Sequence, residues 1–291
     1  MKVDKFRTVI IYIIIILLGL VCLLPLLNIV AISFSSSAAV EGNMVGLIPV
    51  GFSTAAYEKI LEDSQFWHSF LISVERVVLA LIINFVLIVL MAYPLSKTNA
   101  QFRGRNIYAN LMIFAMLFNG GMIPTFLLVK SYGLLNTVWA LVLPGAVPIF
   151  NVILVMNFFA AVPKELEEAA FIDGANPLQV LTKIFIPISK PVLATVSLFS
   201  IVGSWNDFYS GLIYMSKAAY YPLMTYIQSL QINVEDLIKQ GNLSAVVDSA
   251  SLGNTNLNAA KIVIAVIPLL LIYPLLQRYF VSGIVVGSVK G

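Results

Sequence analysis

Six stretches of the chain are apolar at nearly every position. They run from about Thr8 to Ile32, Val77 to Leu95, Leu111 to Val129, Val138 to Phe159, Val192 to Tyr214 and Ala259 to Leu276. Crossing a hydrocarbon layer about 30 Å thick takes about 20 residues at a helical rise of about 1.5 Å each. Membrane barrel strands would be shorter and would alternate apolar with polar positions, which these runs do not. The pattern therefore predicts an all-α, polytopic membrane protein with six transmembrane helices, forming a single domain over residues 1–291.

Composition agrees with that pattern. Of 291 residues, 60% are hydrophobic and 11% charged, where a water-soluble domain carries about a quarter charged residues. The first run follows Lys2, Lys5 and Arg7 and precedes the small residues from Ser35 to Ala39, which resembles a secretory signal. Its apolar core outlasts the about 7–15 residues of a cleavable signal, so an uncleaved first span is expected. Cys22 is the only cysteine, which rules out an intrachain disulfide.

The net charge of +3 tells less than where the charges lie. Lys and Arg collect on the cytoplasmic flanks of membrane spans. Eleven of the 17 fall on alternate flanks: the amino terminus, the 97–105 connection, the 161–191 connection and the carboxyl terminus. The other six, Lys59, Arg76, Lys130, Lys217, Lys239 and Lys261, fall on the opposite side. Both termini are thus expected in the cytoplasm, with the protein multi-pass in the cell membrane.

Three connections are long, and long loops in a compact protein commonly carry function. Two are outer loops, 33–74 and 215–258. The first contains an amphipathic stretch near Thr54 to Leu61 that predicts a short helix, and the second a polar segment, Gln240 to Asn258. The third is the inner loop 161–191. Pro163 suits the first position of a helix there, and Glu165, Glu167 and Glu168 follow in the first turns, where negative charge complements the helix dipole. Asp173 and Gly174 end that helix. Pro177 opens a second one with Leu178, Leu181, Ile184 and Phe185 on one stripe, and Pro187 and Pro191 stop it. Ala169 and Ala170 beside Glu168 leave a nearly bare helix surface, suited either to close docking or to resting on the membrane surface.

The string EAAFIDG, nine further residues and then IFIP matches the EAA loop of permease subunits in binding-protein-dependent ABC importers. The match requires Glu168, Ala169, Ala170, Gly174, Ile184 and Pro187 in register. The segments LFNGGMIPTFLLVKSYGLLNTVWALVLPGAVPIFNVIL, GSWNDFYSGLIY and QRYFVSGIVVGSVKG also resemble maltose-type carbohydrate permeases, chiefly the branch handling complex oligosaccharides and polysaccharide fragments. Two departures are Ile186, where leucine is usual, and Val155-Met156, where an arginine is expected.

The resemblance implies the transmembrane domain of a type I ABC importer. Its cytoplasmic coupling helix would dock on a separate ATPase through Glu168, Ala169, Ala170, Asp173, Gly174, Ile184 and Pro187. The tail from Gly283 to Gly291 would also reach the ATPase pair. Partners implied are a second homologous permease in a heterodimer, two ATPase subunits and an extracellular or lipid-anchored solute-binding protein. ATP and Mg would sit on the ATPases and no cofactor on this chain, which has no GxxxxGK[ST] loop. The outer segment 240–258 would meet the binding protein, with Asn242, Asp248 and Asn254 as contact candidates. No nucleic-acid partner is expected, and the lone His68 leaves no His-rich metal site. A secondary transporter is disfavoured by the absence of an inverted repeat, and an enzyme by the absence of HExxH and GxSxG settings.

Asp207 is the one acidic residue well inside a predicted span, and a carboxylate at that depth faces a cavity or a partner. Two readings stand: a translocation path lined by Trp205, Asn206, Asp207, Tyr209, Tyr214 and Asn119, whose rings and polar edges suit sugars, or hydrogen bonding between helices. Asn84, Asn151 and Asn157 read singly as such interhelical contacts. Asn119-Gly120-Gly121 predicts a bend in the third span. Glu75 and Arg76 are expected to reach the headgroups from the outer end of the second span.

Overall fold

A computed structural model describes residues 5–230 and 255–287, which are helical with no strand among them. The first helix, α1 (Lys5–Ser33), is apolar on every side, and the side chains from Val9 to Leu27 are exposed. A helix of that kind has only lipid or another protein chain to cover it. The short helices α2 (Ser37–Glu41) and α3 (Ala55–Glu62) follow, the latter where the amphipathic stretch predicts one.

Helix α4 runs from Ser64 to Leu95, beginning well before the expected Val77. Its first turns carry Gln65, His68, Ser69, Ser73, Glu75 and Arg76, which interrupt an apolar run but not a helix, since nothing in that stretch is a glycine or proline. The third apolar stretch is two helices, α5 (Arg105–Leu117) and α6 (Met122–Ser131), bent by 110° at the predicted Asn119-Gly120-Gly121 break. Gly121 supplies a φ of +91° there. The fourth consists of α7 (Val138–Val142), a 3₁₀ turn (Leu143–Gly145) and α8 (Ile149–Ala160), bent by 48° where Pro144 and Pro148 remove donors.

Next come α9 (Lys164–Ile172), α10 (Pro177–Val180), a π turn (Leu181–Phe185) and α11 (Ile186–Ile188). The fifth apolar stretch is α12 (Lys190–Asn206) and α13 (Tyr209–Tyr214), interrupted at Asp207 and Phe208. The last helix, α14, covers Thr255–Gly287. Two expectations about prolines need correction. Pro163 is the residue preceding α9 rather than its first helical position. Pro187 lies inside α11, and the helix turns by 84° only at Ser189, with Pro191 opening α12. Pro191 falls in the first turn of α12, where a missing N–H breaks no hydrogen bond.

Three described helices are long and apolar enough to cross a membrane, and up to six spans result if each bent pair counts as one. The chain divides into two units. One comprises 5–67 with the described parts of 226–268, and the other 68–225 with 269–287. In the first, the loop after α1 folds back on the helix end: Phe34 stacks on Phe52 and Tyr57, and Ser35 Oγ accepts from Val50 N at 3.0 Å. In the second, a core of Ile88, Val89, Ala92, Val152, Val155, Phe159, Val180, Phe185 and Val196 ties α4, α8, the π turn and α12 together.

Candidate functional site

Helix α9 is built as its sequence dictates at both ends. Glu165 and Glu167 stand in the first turn, and at the far end the Asp173, Gly174 and Ala175 amides donate to Ala169, Phe171 and Ala170 carbonyls at 3.0, 3.1 and 2.9 Å. Gly174 has φ +80°, a left-handed conformation in which a Cβ is strained. Asn176 and Gln179 then cap α10 reciprocally, each side chain accepting from the other's amide at 2.9 Å.

Glu168, Ala169, Asp173, Gly174 and Pro187 are exposed, while Ala170 and Ile184 are half-buried. Ala170, Asp173, Gly174 and Ile184 share a cleft of about 430 Å³ with Gln179 and Lys183. Leu166, Phe171 and Ile172 add exposed apolar surface, Ile172 being 87% exposed. The predicted stripe on the second helix splits, with Leu181 and Phe185 buried and Leu178 61% exposed.

The residue that sequence reasoning missed is Glu167. It is the one buried residue of α9, and its Oε1 accepts from Lys97 Nζ at 2.6 Å and from Tyr93 Oη at 3.4 Å. The Lys97 ammonium sits 4.2 Å from the ring centres of both Tyr93 and Phe185, a geometry that favours a cation electrostatically. Burial pulls the Lys97 ammonium below the usual lysine range, with Glu167 pulling the other way. The available signal was weak: Glu167 lies three residues before the half-buried Ala170, on the same helix face.

The second cluster corrects the reading of Arg76. Because α4 starts at Ser64, Arg76 lies inside the helix and is 3% exposed. Its Nη1 donates to the Asp207 carbonyl at 2.9 Å, and its Nη2 to Asp207 Oδ2. Asp207 Oδ1 accepts from Ser210 N at 3.1 Å and so caps α13. Both carboxylate oxygens are thereby engaged at the α12–α13 break. The Asn84 amide lies 3.2 Å from Ser200 Oγ and can donate to the Ala80 and Ala146 carbonyls at 3.2 and 3.1 Å, a contact between helices of the expected kind.

Of the residues predicted to line a path, Asp207 and Tyr214 share a cavity of about 260 Å³ with Arg76, Asn84, Asn151 and Ser200. Trp205 is 4% exposed and packs edge-on against Phe70. Asn206 and Tyr209 are exposed, with Tyr209 Oη 3.1 Å from Met122 Sδ, and exposed Asn119 accepts from Gly121 N at 2.9 Å. Asn242, Asp248 and Asn254 lie outside the described residues, as does the end of the 283–291 tail.

Apolar helices broken around polar clusters, with the exposed α9 between two of them, fit a helical membrane protein that keeps charged groups inside its bundle. The chain belongs to the family described as binding-protein-dependent transport system inner membrane component, which it matches over residues 2–286. It is 41% identical to protein LplC of Bacillus subtilis, covering 94% of this chain and 91% of that one. It is 39% identical, over 99% of each chain, to the polygalacturonan/rhamnogalacturonan transport system permease protein YtcP of the same species. A solved structure described as a bacterial ABC transporter involved in the import of the acidic polysaccharide alginate matches with a TM-score of 0.83 and 32% identity, covering 96% of this chain and 98% of that one.

Proposed function

We propose that this chain is a pore-forming permease subunit of an ATP-driven importer, translocating an oligosaccharide or polysaccharide fragment delivered by an extracellular binding protein. The observation that carries this is the full-length similarity to a polygalacturonan/rhamnogalacturonan permease and to a structure from an alginate importer. The exposed cleft at α9, where Ala170, Asp173, Gly174 and Ile184 meet, supports the ATPase-docking part. In this reading, both termini and α9 face the cytoplasm and a second homologous permease completes the pore. Two ATPase subunits hold ATP and Mg, and the chain itself is not catalytic. Closure of the ATPase pair pushes on Glu168 and its bare neighbours and opens the pore outward, and hydrolysis resets it.

Vesicles containing the complete complex, supplied with binding protein and labelled galacturonan oligomers, test this directly. Uptake is expected to need ATP inside the cytoplasmic-face compartment. Glu168→Lys and Gly174→Val are expected to lower it about tenfold or more while the chain remains inserted, since coupling contacts are worth about 1–3 kcal/mol. Uptake driven by an ion gradient without ATP would instead make the protein a secondary transporter.

A further inference from the structure

The proposal here rests on the reading of α9 as the ATPase-docking helix and concerns how a push on that helix reaches the membrane-embedded bundle. The exposed side of α9, with Glu165, Glu168, Ala169 and Ile172, is available to a partner but touches little of its own chain. Its inward side offers half-buried Ala170 and one buried side chain, Glu167. Among the side chains of α9, Glu167 is therefore the polar one placed to carry a displacement inward, beside the apolar packing of Ala170 and of the flanking Val162 and Ala175.

That carboxylate meets Lys97, at 2.6 Å, with both side chains nearly covered at 11% and 12% exposure. Lys97 is bound to the end of α4, its amide donating to the Pro94 carbonyl at 3.2 Å. Its ammonium is held between Tyr93, on the last turn of α4, and Phe185, on the π turn that leads toward α12. Phe185 also packs edge-on against Tyr93 and Phe159, with ring centres 5.1 and 5.4 Å apart. Single π turns inside helices recur at functional positions, and this one aims Phe185 at the ammonium. One ion pair thus joins the docking helix to the ends of α4 and α8 and to the segment before α12.

An apolar patch would suffice to hold α9 in place, and replacing a covered ion pair by apolar residues of like volume is often neutral or stabilising. What the ion pair adds is direction and register. It resists pulling and sliding as well as compression, because separating the charges leaves each one covered and uncompensated. We propose that Glu167 and Lys97 are positioning residues that form the joint transmitting the ATPase stroke, in both directions, from α9 to the inner end of α4.

The test uses the complete complex in vesicles, with uptake and ATP hydrolysis read from the same sample and the chain quantified in the membrane. Glu167→Gln and Lys97→Met keep shape and remove charge. Each is expected to lower the ratio of substrate transported to ATP hydrolysed by about tenfold while hydrolysis stays within about twofold of wild type. The double variant E167Q/K97M, in which neither charge is left covered and unpaired, is expected to lower the ratio no further than either single variant, a non-additivity that loss of packing alone cannot give. An unchanged ratio overturns the joint. So does a parallel fall in uptake and hydrolysis, loss of the chain from the membrane in the single variants, or losses that simply add in the double variant. A wild-type complex whose uptake ignores ATP would sink the docking reading itself, which separates the two failures.

Discussion

Arg76 and Glu167 both disclose their roles only through partners far along the chain. Asp207 lies 131 positions from Arg76 and Lys97 lies 70 from Glu167, separations at which a single sequence carries no pairing signal. Arg76 read as a headgroup contact because the apolar run begins beside it, and Glu167 read as a dipole partner because every carboxylate in a first turn does. Gly174 and Asp173, whose roles are set by local backbone geometry, were legible outright. The Arg76–Asp207 pair also makes an asymmetric prediction. The Arg76 side chain is 4% exposed and that of Asp207 28%, so stranding the guanidinium costs more than stranding the carboxylate. Asp207→Ala is expected to destabilise the detergent-solubilised chain by about 3–5 kcal/mol, Arg76→Met by less, and the double variant by less than the two combined. Additive losses in thermal unfolding would show that the two charges are not coupled.

Helices whose ends are written in local chemistry matched expectation, and breaks imposed by distant contacts did not. The bend at Asn119-Gly120-Gly121 follows from weak helix formers, whereas the α7–α8 break at Pro144, Gly145 and Pro148, equally local, interrupts a stretch expected to be one helix. The interruption at Asp207-Phe208 contains neither glycine nor proline. There the Arg76 guanidinium takes up the Asp207 carbonyl and one carboxylate oxygen while the other caps α13 through Ser210 N, so the break is held from α4 as well as by its own residues. A comparable tie holds the first unit together. Asp63, just before α4, accepts from Lys261 Nζ on α14 at 2.8 Å, from Tyr226 Oη at 2.9 Å and from Phe66 N at 3.0 Å. Burial alone would raise the Asp63 carboxyl; the Lys261 ammonium and the two other donors outweigh it and hold the group below its ordinary value of 3.8. A carboxylate lowered in the folded state stabilises above its unfolded value and loses that contribution as pH falls through the folded one. Asp63→Asn should therefore lower the unfolding temperature at neutral pH, with the gap to wild type constant from about pH 8 to about pH 5 and closing below about pH 4. A gap that stays open in acid would mean that the carboxylate charge is not what holds Lys261.

Orientation belongs to the molecule as a whole, because it depends on summing lysines and arginines over all flanks rather than on any one contact. The eleven-to-six division predicts α9 on the cytoplasmic side, and the coupling proposal needs it there, since an ATPase supplied with cellular ATP can reach only that side. The sequence offers a clean way to check. Cys22 is the sole cysteine and lies 17 positions along α1 from Lys5, about 25 Å at a helical rise of about 1.5 Å per residue, within the depth of a hydrocarbon layer. A charged, membrane-impermeant maleimide should leave Cys22 untouched in intact cells even though its own chain leaves it exposed. In a Cys22→Ser background, Ala219→Cys, on an exposed turn after α13, should label from outside. Thr182→Cys, exposed on the π turn after α10, should label only once the cells are permeabilised. The reverse pattern would place Glu168, Glu167 and Lys97 on the outer face, where no nucleotide-driven stroke is available, and both the docking helix and its ion-paired joint would have to be given up together.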